Sequence, residues 1–241
     1  MPTDGTILFA RYAFMPNKLS YCGGDDNEAL FEYCVANETD PGLVALLRKF
    51  QAAYPYLKLI ASSNHIPDPF DARVVEAYWI GNELLDQVDL VQFYNSLRER
   101  FAKQLDAKTL GHLLSKPPLG ARAHHSFHVF DVHSRIGMID HSLHTMESCR
   151  IGWGRVKEIL ATHFVVEHQP LVLESGKVKL GDLRDKKVLR ELGGAGFISS
   201  CQEGDFISFH WDWACNRLSL RQVQNLEKYT EYNLKLANQT L

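Results

Sequence analysis

Between residues 27 and 105, apolar residues recur three and four positions apart, the spacing of one helix face. "NEALFEYCVAN" places Leu30, Phe31 and Cys34 on one side, with Asn27 as its predicted N-cap. "PGLVALLRKFQAAY" has Pro41 near its start and Leu43, Leu46, Leu47 and Phe50 in register. "DARVVEAYWIGNELL" starts at Asp71, a capping residue, and carries Val74, Val75, Tyr78, Trp79 and Leu85. "DLVQFYNSLRERF" repeats the pattern with Leu90, Phe93, Leu97 and Phe101. Stripes of this kind need partners, so a bundle of four or five helices is predicted, joined by the short turn-rich breaks "NETDPG" and "NHIPDPFD".

After "SKPPLGARAHH" the period changes. "HHSFHVFDVHS" alternates, which predicts a strand, and "DHSLHTMESC" predicts a short helix capped at Asp140. From Cys149 onward short strands are predicted in "GRVKEI", "THFVVEHQPLVL" and "VKLG", with a turn at "ESGK". "DKKVLRELGGAG" reads as a helix stopped by glycines, and "GDFISFHW" as another strand. The closing "SLRQVQNLEKYTEYNLKLAN" is a long helix with Ser219 and Gln222 forming a capping box. The expected fold class is α+β. Residues 1–120 form a mainly helical domain, 121–148 a connecting strand and helix segment, and 149–241 a small OB-like β-barrel with a C-terminal helix.

Composition narrows the functional classes. The 241 residues are 45% hydrophobic and 23% charged, an ordinary globular balance. A net charge of -3 gives no electrostatic reason to expect nucleic acid or an anionic membrane surface as partner. No apolar stretch reaches the length of a membrane span, and the start shows no basic region leading into an apolar run. A cytoplasmic location is therefore expected, with the five cysteines reduced, since their number is odd and their spacing fits no disulfide framework. Eleven histidines raise the expectation of metal handling.

Two segments carry the chemistry. "CRIGWGRVKEI" is followed by "HFVVEHQPLVLESGKVKLG" and then by "EGDFISFHWDWACNRLSLRQVQNLEKY". Together they resemble the HypC/HupF family of [NiFe]-hydrogenase maturation chaperones over roughly residues 149–235. Cys149, Gly154 and Val156 match the opening of that family, and Gly204, Asp205, Ile207 and His210 match its later strand. The resemblance implies that Cys149 and His210 bind an iron intermediate carrying cyanide and carbon monoxide, an Fe(CN)2(CO) type of centre. It implies as partners the hydrogenase large-subunit precursor or other maturation proteins. The residue types suit this, because low-spin iron favours thiolate donors and an imidazole can take the thiol proton. The chain departs from the family in three ways: its cysteine is internal rather than next to an initiator methionine, Trp153 replaces a common proline, and "DLRDKKVLRELGGAG" is inserted. The whole chain also resembles an uncharacterised bacterial family encoded beside [NiFe]-hydrogenase genes, through "ARYAFMPNKLSYCGG", "VVEAYWIGNELL", "GARAHHSFHVF" and "FHWDWACNRLS".

A second candidate site joins Cys22, in the glycine loop "SYCGGDDN", to His124, His125, His128 and His133 of "AHHSFHVFDVH". Read as a strand, that segment puts His124 and His128 on one face and His125, Asp131 and His133 on the other; either face gives two metal ligands, with a tetrahedral site needing others from elsewhere. The alternatives are a polar strand edge or histidines bonded to backbone, and a glycine turn beside an incidental buried cysteine. Cys34 sits on an apolar stripe and reads as core, and Glu76 and Asn82 as a solvated helix face. Trp211 and Trp213 form either a partner surface or a plug closing the barrel. Three functions follow: a maturation chaperone; a metal-dependent enzyme of the same pathway, making or transferring the diatomic ligand at the His124–His133 cluster or Cys22; or an adaptor without chemistry.

Overall fold

The computed structural model of the chain describes residues 3–136 and 142–239. It is α+β, with helices first, a mixed five-stranded sheet next and a helix last. The helix α1 (Gly5–Lys18) is the spine of the molecule. Asp4 caps it by accepting from the Thr6 N–H at 2.8 Å, and almost every side chain from Ile7 to Met15 is buried. A helix apolar on all sides belongs in the middle of a core, and this explains why periodicity did not single it out. Gly5 is required by close packing, since a Cβ there would lie 1.8 Å from the Phe70 carbonyl oxygen.

Around α1 stand α2 (Asn27–Ala36), α3 (Pro41–Leu47), α4 (Tyr54–Ser63), α5 (Ala72–Trp79), α6 (Leu90–Phe101) and α7 (Ala107–Leu114). Their starts follow the capping rules: Asp40, Asp71, Asp89 and Asp106 each accept a backbone N–H. The cap of α2 is Asp26, with Asn27 the first helical residue. Phe93, Leu97 and Phe101 are buried as expected, while Leu90 points to solvent.

Two sequence expectations are corrected here. "HHSFHVFDVHS" is helical, not a strand: α8 (His125–Phe127), a wide π turn (His128–Val132) and α9 (His133–Ile136) follow one another without a break. Nearly every side chain from His124 to Val132 is buried, so burial on all sides had hidden the helical period. "DKKVLRELGGAG" begins with a strand rather than a helix, because Val188 is buried between neighbouring strands while charged residues line the open face. α10 (Leu143–Cys149) is capped by Ser142, and Asp140 lies outside the described residues.

The strands are β1 (Gly152–Ile159), β2 (His163–His168), β3 (Leu171–Glu174), β4 (Lys177–Leu180), β5 (Arg184–Leu189), β6 (Phe206–His210) and β7 (Trp213–Leu218). The main sheet runs β1-β2-β5-β7-β6, and β6 pairs back on β1, so the pairings form a ring. All of them are antiparallel except the seam, where β5 and β7 meet in parallel through Leu189 and Trp213. Gly154 sits where β1 pairs with both neighbours, and a Cβ there would come 2.3 Å from the Glu167 carbonyl oxygen. β3 and β4 form a separate hairpin tied to α11 (Leu220–Ala237) by Asn238, whose side chain pairs with both backbone groups of Val178. The Ser219–Gln222 capping box starts α11 as predicted.

Helices and sheet share one apolar core. Phe14 of α1 packs at 5.3 Å from Trp213 and 5.4 Å from Phe197, and Tyr12 hydrogen-bonds Ser208 of β6 at 2.7 Å. That contact brings the α8 region, the end of α10 and the end of β6 together against α1 and α5.

Candidate metal centre

Where these elements meet is a cavity of about 610 Å3. Its wall includes Cys22, His125, His128, His133, Cys149 and His210. Residues of the two sites that the sequence suggested separately, His124 apart, therefore line one cavity. His125, Cys149 and His210 each offer a ligand atom, and these atoms lie within 4.8 Å of one another.

Each donor is positioned by a different element. Cys149 is the last residue of α10, 5% exposed, and its backbone is fixed on both sides. Arg150, fully buried, donates to Glu147 at 2.9 and 3.1 Å and to the Gln169 carbonyl at 2.6 Å. Glu147 in turn accepts from the Leu171 N–H, which anchors the corner between α10 and β1. The Cys149 sulfur lies 3.7 Å from His133 Nδ1. Burial pushes its thiol well up, the nearby Cys22 sulfur adds to this, and the Trp211 side chain opposes it.

His210 ends β6. Its Nδ1 lies 2.7 Å from the Tyr12 carbonyl, which can only accept, so Nδ1 carries the proton and Nε2 keeps its lone pair. That Nε2 is buried without a hydrogen-bond partner among the described residues. An imidazole oriented by a backbone carbonyl, with the other nitrogen open, is how a metal-binding histidine is usually held. Burial lowers its pKa to about 4, so it is neutral at ordinary pH.

His125 and His128 lie on the helix entering the π turn. His125 Nε2 donates to the Cys149 carbonyl at 2.8 Å, and its Nδ1 accepts from the Tyr78 hydroxyl at 3.1 Å. It would exchange one of these bonds for a metal. His128 faces the Tyr56 hydroxyl at 3.3 Å through Nδ1, and its Nε2 is buried and open. Both imidazoles are held well below the usual range by burial first, with neighbouring histidines adding to it. The π turn inserts its extra residue beside these histidines; such bulges commonly accompany functional sites.

Cys22 enters from the loop after α1. Gly23 has a φ of +84°, and Asn17 binds the carbonyls of Cys22 and Gly24, which folds the loop over the cavity. Burial raises the Cys22 thiol to about 12. At the rim, Tyr21 stacks on Trp211 at 4.1 Å.

The donor set thus offers two thiols and neutral imidazoles, with open nitrogens in an aromatic-walled pocket that opens to solvent at its rim. That chemistry fits a soft or borderline transition metal and not a hard oxygen-seeking cation. Metal binding would displace the thiol proton, which burial and then the neighbouring Cys22 sulfur hold more tightly than in a free cysteine.

The sequence profile of a family of unknown function, DUF6390, matches residues 1–241. The chain belongs to the DUF6390 family. Neither a curated protein nor a solved structure matches it significantly.

The remaining candidate residues of this DUF6390 chain lie elsewhere. His124 caps α8 through its Nδ1, accepting from the Ser126 N–H at 3.1 Å, and its ring stacks on Tyr229 of α11, away from the cavity. Trp213 is fully buried among Phe14, Phe31 and Phe197 and is core, while Trp211 is at the cavity rim. Glu76 and Asn82 bind each other and Gln222 in a polar groove beside α11, a satisfied structural contact. Cys34 and Cys215 are buried away from the cavity, and Cys201 is half-exposed.

Sequence reading missed Tyr56, Arg100 and the Tyr12 carbonyl. A backbone carbonyl leaves no trace in side-chain pattern, and Arg100 looks like any helical surface charge in "RERF". The aromatic pairs in "YPYL" and "AYWI" were the available signal for the wall.

Proposed function

We propose that the chain is a [NiFe]-hydrogenase maturation factor that holds an iron centre of the Fe(CN)2(CO) type, as cargo, in this cavity. The observation that carries the reading is the convergence of Cys149, His125 and His210 within 4.8 Å, with the His210 lone pair open. Cys149 supplies the soft donor that such iron favours, and His210 a second donor or the acceptor for the thiol proton. The ring order β1-β2-β5-β7-β6, with its parallel seam, supports an OB-like barrel for the second half and so the likeness to the HypC/HupF chaperones. Cys149 here is enclosed rather than displayed on a free terminus, so the cargo is sheltered inside the protein and released by opening the rim. The large-subunit precursor or another maturation protein would receive it.

The test is anaerobic purification from cells expressing a hydrogenase, with metal analysis and infrared spectroscopy. Iron near one equivalent with CO and CN stretching bands, both lost in Cys149→Ser, is expected. Metal-free protein from such cells, together with normal hydrogenase activity in a strain carrying Cys149→Ser, would overturn the reading.

A further inference from the structure

The strand pairings close into a ring, but the seam is short. β5 pairs with β2 along its whole length, whereas on its other side it meets β7 only at Leu189. The register shows which backbone groups this leaves over. The Leu189 N–H turns away from β2 to the Asp212 carbonyl at 2.7 Å. On the far side of β2, the Val156 N–H turns to the Asp205 carbonyl, which leaves Val166 to bond with Lys186. Bonded and non-bonded residues alternate along an antiparallel ladder. Arg184, Lys186 and Val188 therefore bond to β2, and the N–H and C=O groups of Asp185 and Lys187 point to the open edge. No hydrogen bond from elsewhere in the described residues reaches these four groups.

The side chains along this edge carry a pattern that fits itself. Asp185 and Lys187 are both exposed. Asp185 pairs with Lys157 at 3.0 Å, and Lys187 has no ion pair among the described residues. An antiparallel strand added with a two-fold axis through Lys186 sets Asp185 opposite the second copy's Lys187, and Lys187 opposite its Asp185. Both are bonded pairs, so every free group of both edges is satisfied at once. An axis through Asp185 or through Lys187 instead sets like charges opposite each other, which is destabilising. The two Lys186 side chains approach the axis on the other face, where each is held by its own Asp212 at 2.7 Å. Lysines on an exposed strand discourage indiscriminate edge pairing, and this one register answers their charge. Leu183, next to the free stretch, is 60% exposed and would be covered there.

We propose that β5 is a self-association edge: two copies of the chain pair antiparallel through Arg184–Val188 about Lys186 and join their main sheets into one. The inference stands apart from the metal-binding reading. The ladder is short, so the dimer is reversible and depends on concentration.

Sedimentation equilibrium of the purified full chain across a dilution series tests this against the mass of one copy, 27.4 kDa. The parent shifts reversibly to twice that mass as its concentration rises. Lys187→Glu and Asp185→Lys each set like charges opposite one another and weaken the dimer by about tenfold or more. Mixed in equal amounts, the two variants recover it as a heterodimer, because opposite charges then face each other at both positions. Lys187→Pro removes an edge N–H that the β2 ladder does not use, and gives a monomer with the parent's circular dichroism and melting temperature. A parent that keeps the mass of one copy throughout overturns the inference. So do variants that dimerise as well as the parent, or a mixture that fails to recover the dimer each variant has lost.

Discussion

Two faces of the segment 124–136 are buried, and they treat polar groups in opposite ways. The face toward α7 and α11 is closed. Lys116 and Asp131, both 0% exposed, pair at 3.0 Å, and Lys116 also donates to the Leu236 carbonyl while Arg135 approaches Asp131 from the next turn. Ser126 beside them is bonded by Asn233 and by His124. The face toward the cavity is left open: His128 and His210 each bury a nitrogen without a partner, and two thiols stand next to them. Burial of a polar group without a partner costs about 1–3 kcal/mol. His124 Nε2 and Asn233 Oδ1 on the first face also lack a partner among the described residues, so what sets the second face apart is that its open nitrogens line a cavity beside two thiols. Burial alone does not distinguish a structural histidine from a ligand; the open nitrogen facing a cavity does.

The largest expected effect of this arrangement is on acid stability. His124, His125, His128 and His210 are fully buried with pKa values below the ordinary 6.5, to about 3 for His124 and about 4 for His210. Well above pH 6.5 folded and unfolded states are both neutral at these positions, and the full stability is present. As pH falls from about 6.5 toward 4, the unfolded chain takes up protons that the folded one refuses. Stability then drops by up to about 1.4 kcal/mol per pH unit for each such histidine. The metal-free protein should show a steeply falling melting temperature below about pH 6, measured by circular dichroism with the number of protons taken up obtained from the slope. A melting temperature flat from pH 7 to 5 would mean that these imidazoles are hydrated and the cavity is not closed.

Next in size is the paired face. Asp131→Ala leaves Lys116 charged and buried, and should destabilise the fold by about 3–5 kcal/mol in urea denaturation. A change under 1 kcal/mol would contradict the closed network. Cys149→Ser removes a donor from the open face. It should leave stability within about 1 kcal/mol but weaken cobalt or zinc binding by about a hundredfold, roughly 2.7 kcal/mol. The pH dependence of metal affinity sharpens this further. Because both thiols are pushed up by burial, each one that ligates releases a proton, and log affinity should rise by about one per pH unit per thiolate. A slope near two assigns Cys22 as a ligand; a slope near one leaves Cys149 alone.

What could be read in the sequence was what local rules govern. The capped amphipathic helices, the strand ending at His210 and the Ser219 capping box all follow from neighbours in the chain, whereas the strand Trp213–Leu218 was not read from the pattern. Cys22, Cys149, His210 and the histidine cluster were recognisable as chemistry because soft donors stand out in composition. That they share one chamber was not legible, since it depends on Tyr12 of α1 holding β6 and on the α10–β1 corner held by Arg150. The helix at 125–136 was misread for the same reason: a segment packed on all sides has no polar face to reveal its period.

The smallest expected effect concerns the two tryptophans of "HWDWAC", which the fold treats differently. Trp213 fills the core, whereas Trp211 and Asp212 form the two-residue turn between β6 and β7 with φ values of 50° and 60°. Such a turn favours glycine or asparagine, and a tryptophan there carries strain of about 1–3 kcal/mol. Its return is the stack with Tyr21 over the rim, placed by a backbone bond from Trp211 N–H to the Ser148 carbonyl at 2.9 Å. Trp211→Gly relieves the strain while losing the stack, so stability should change by no more than about 1 kcal/mol. Removal of bound cobalt by a chelator should nevertheless become several times faster, because the cover of the cavity is gone. If Trp211 merely packed the turn, the substitution would lower stability and leave the release rate unchanged, and the open face would have to be reached by another path.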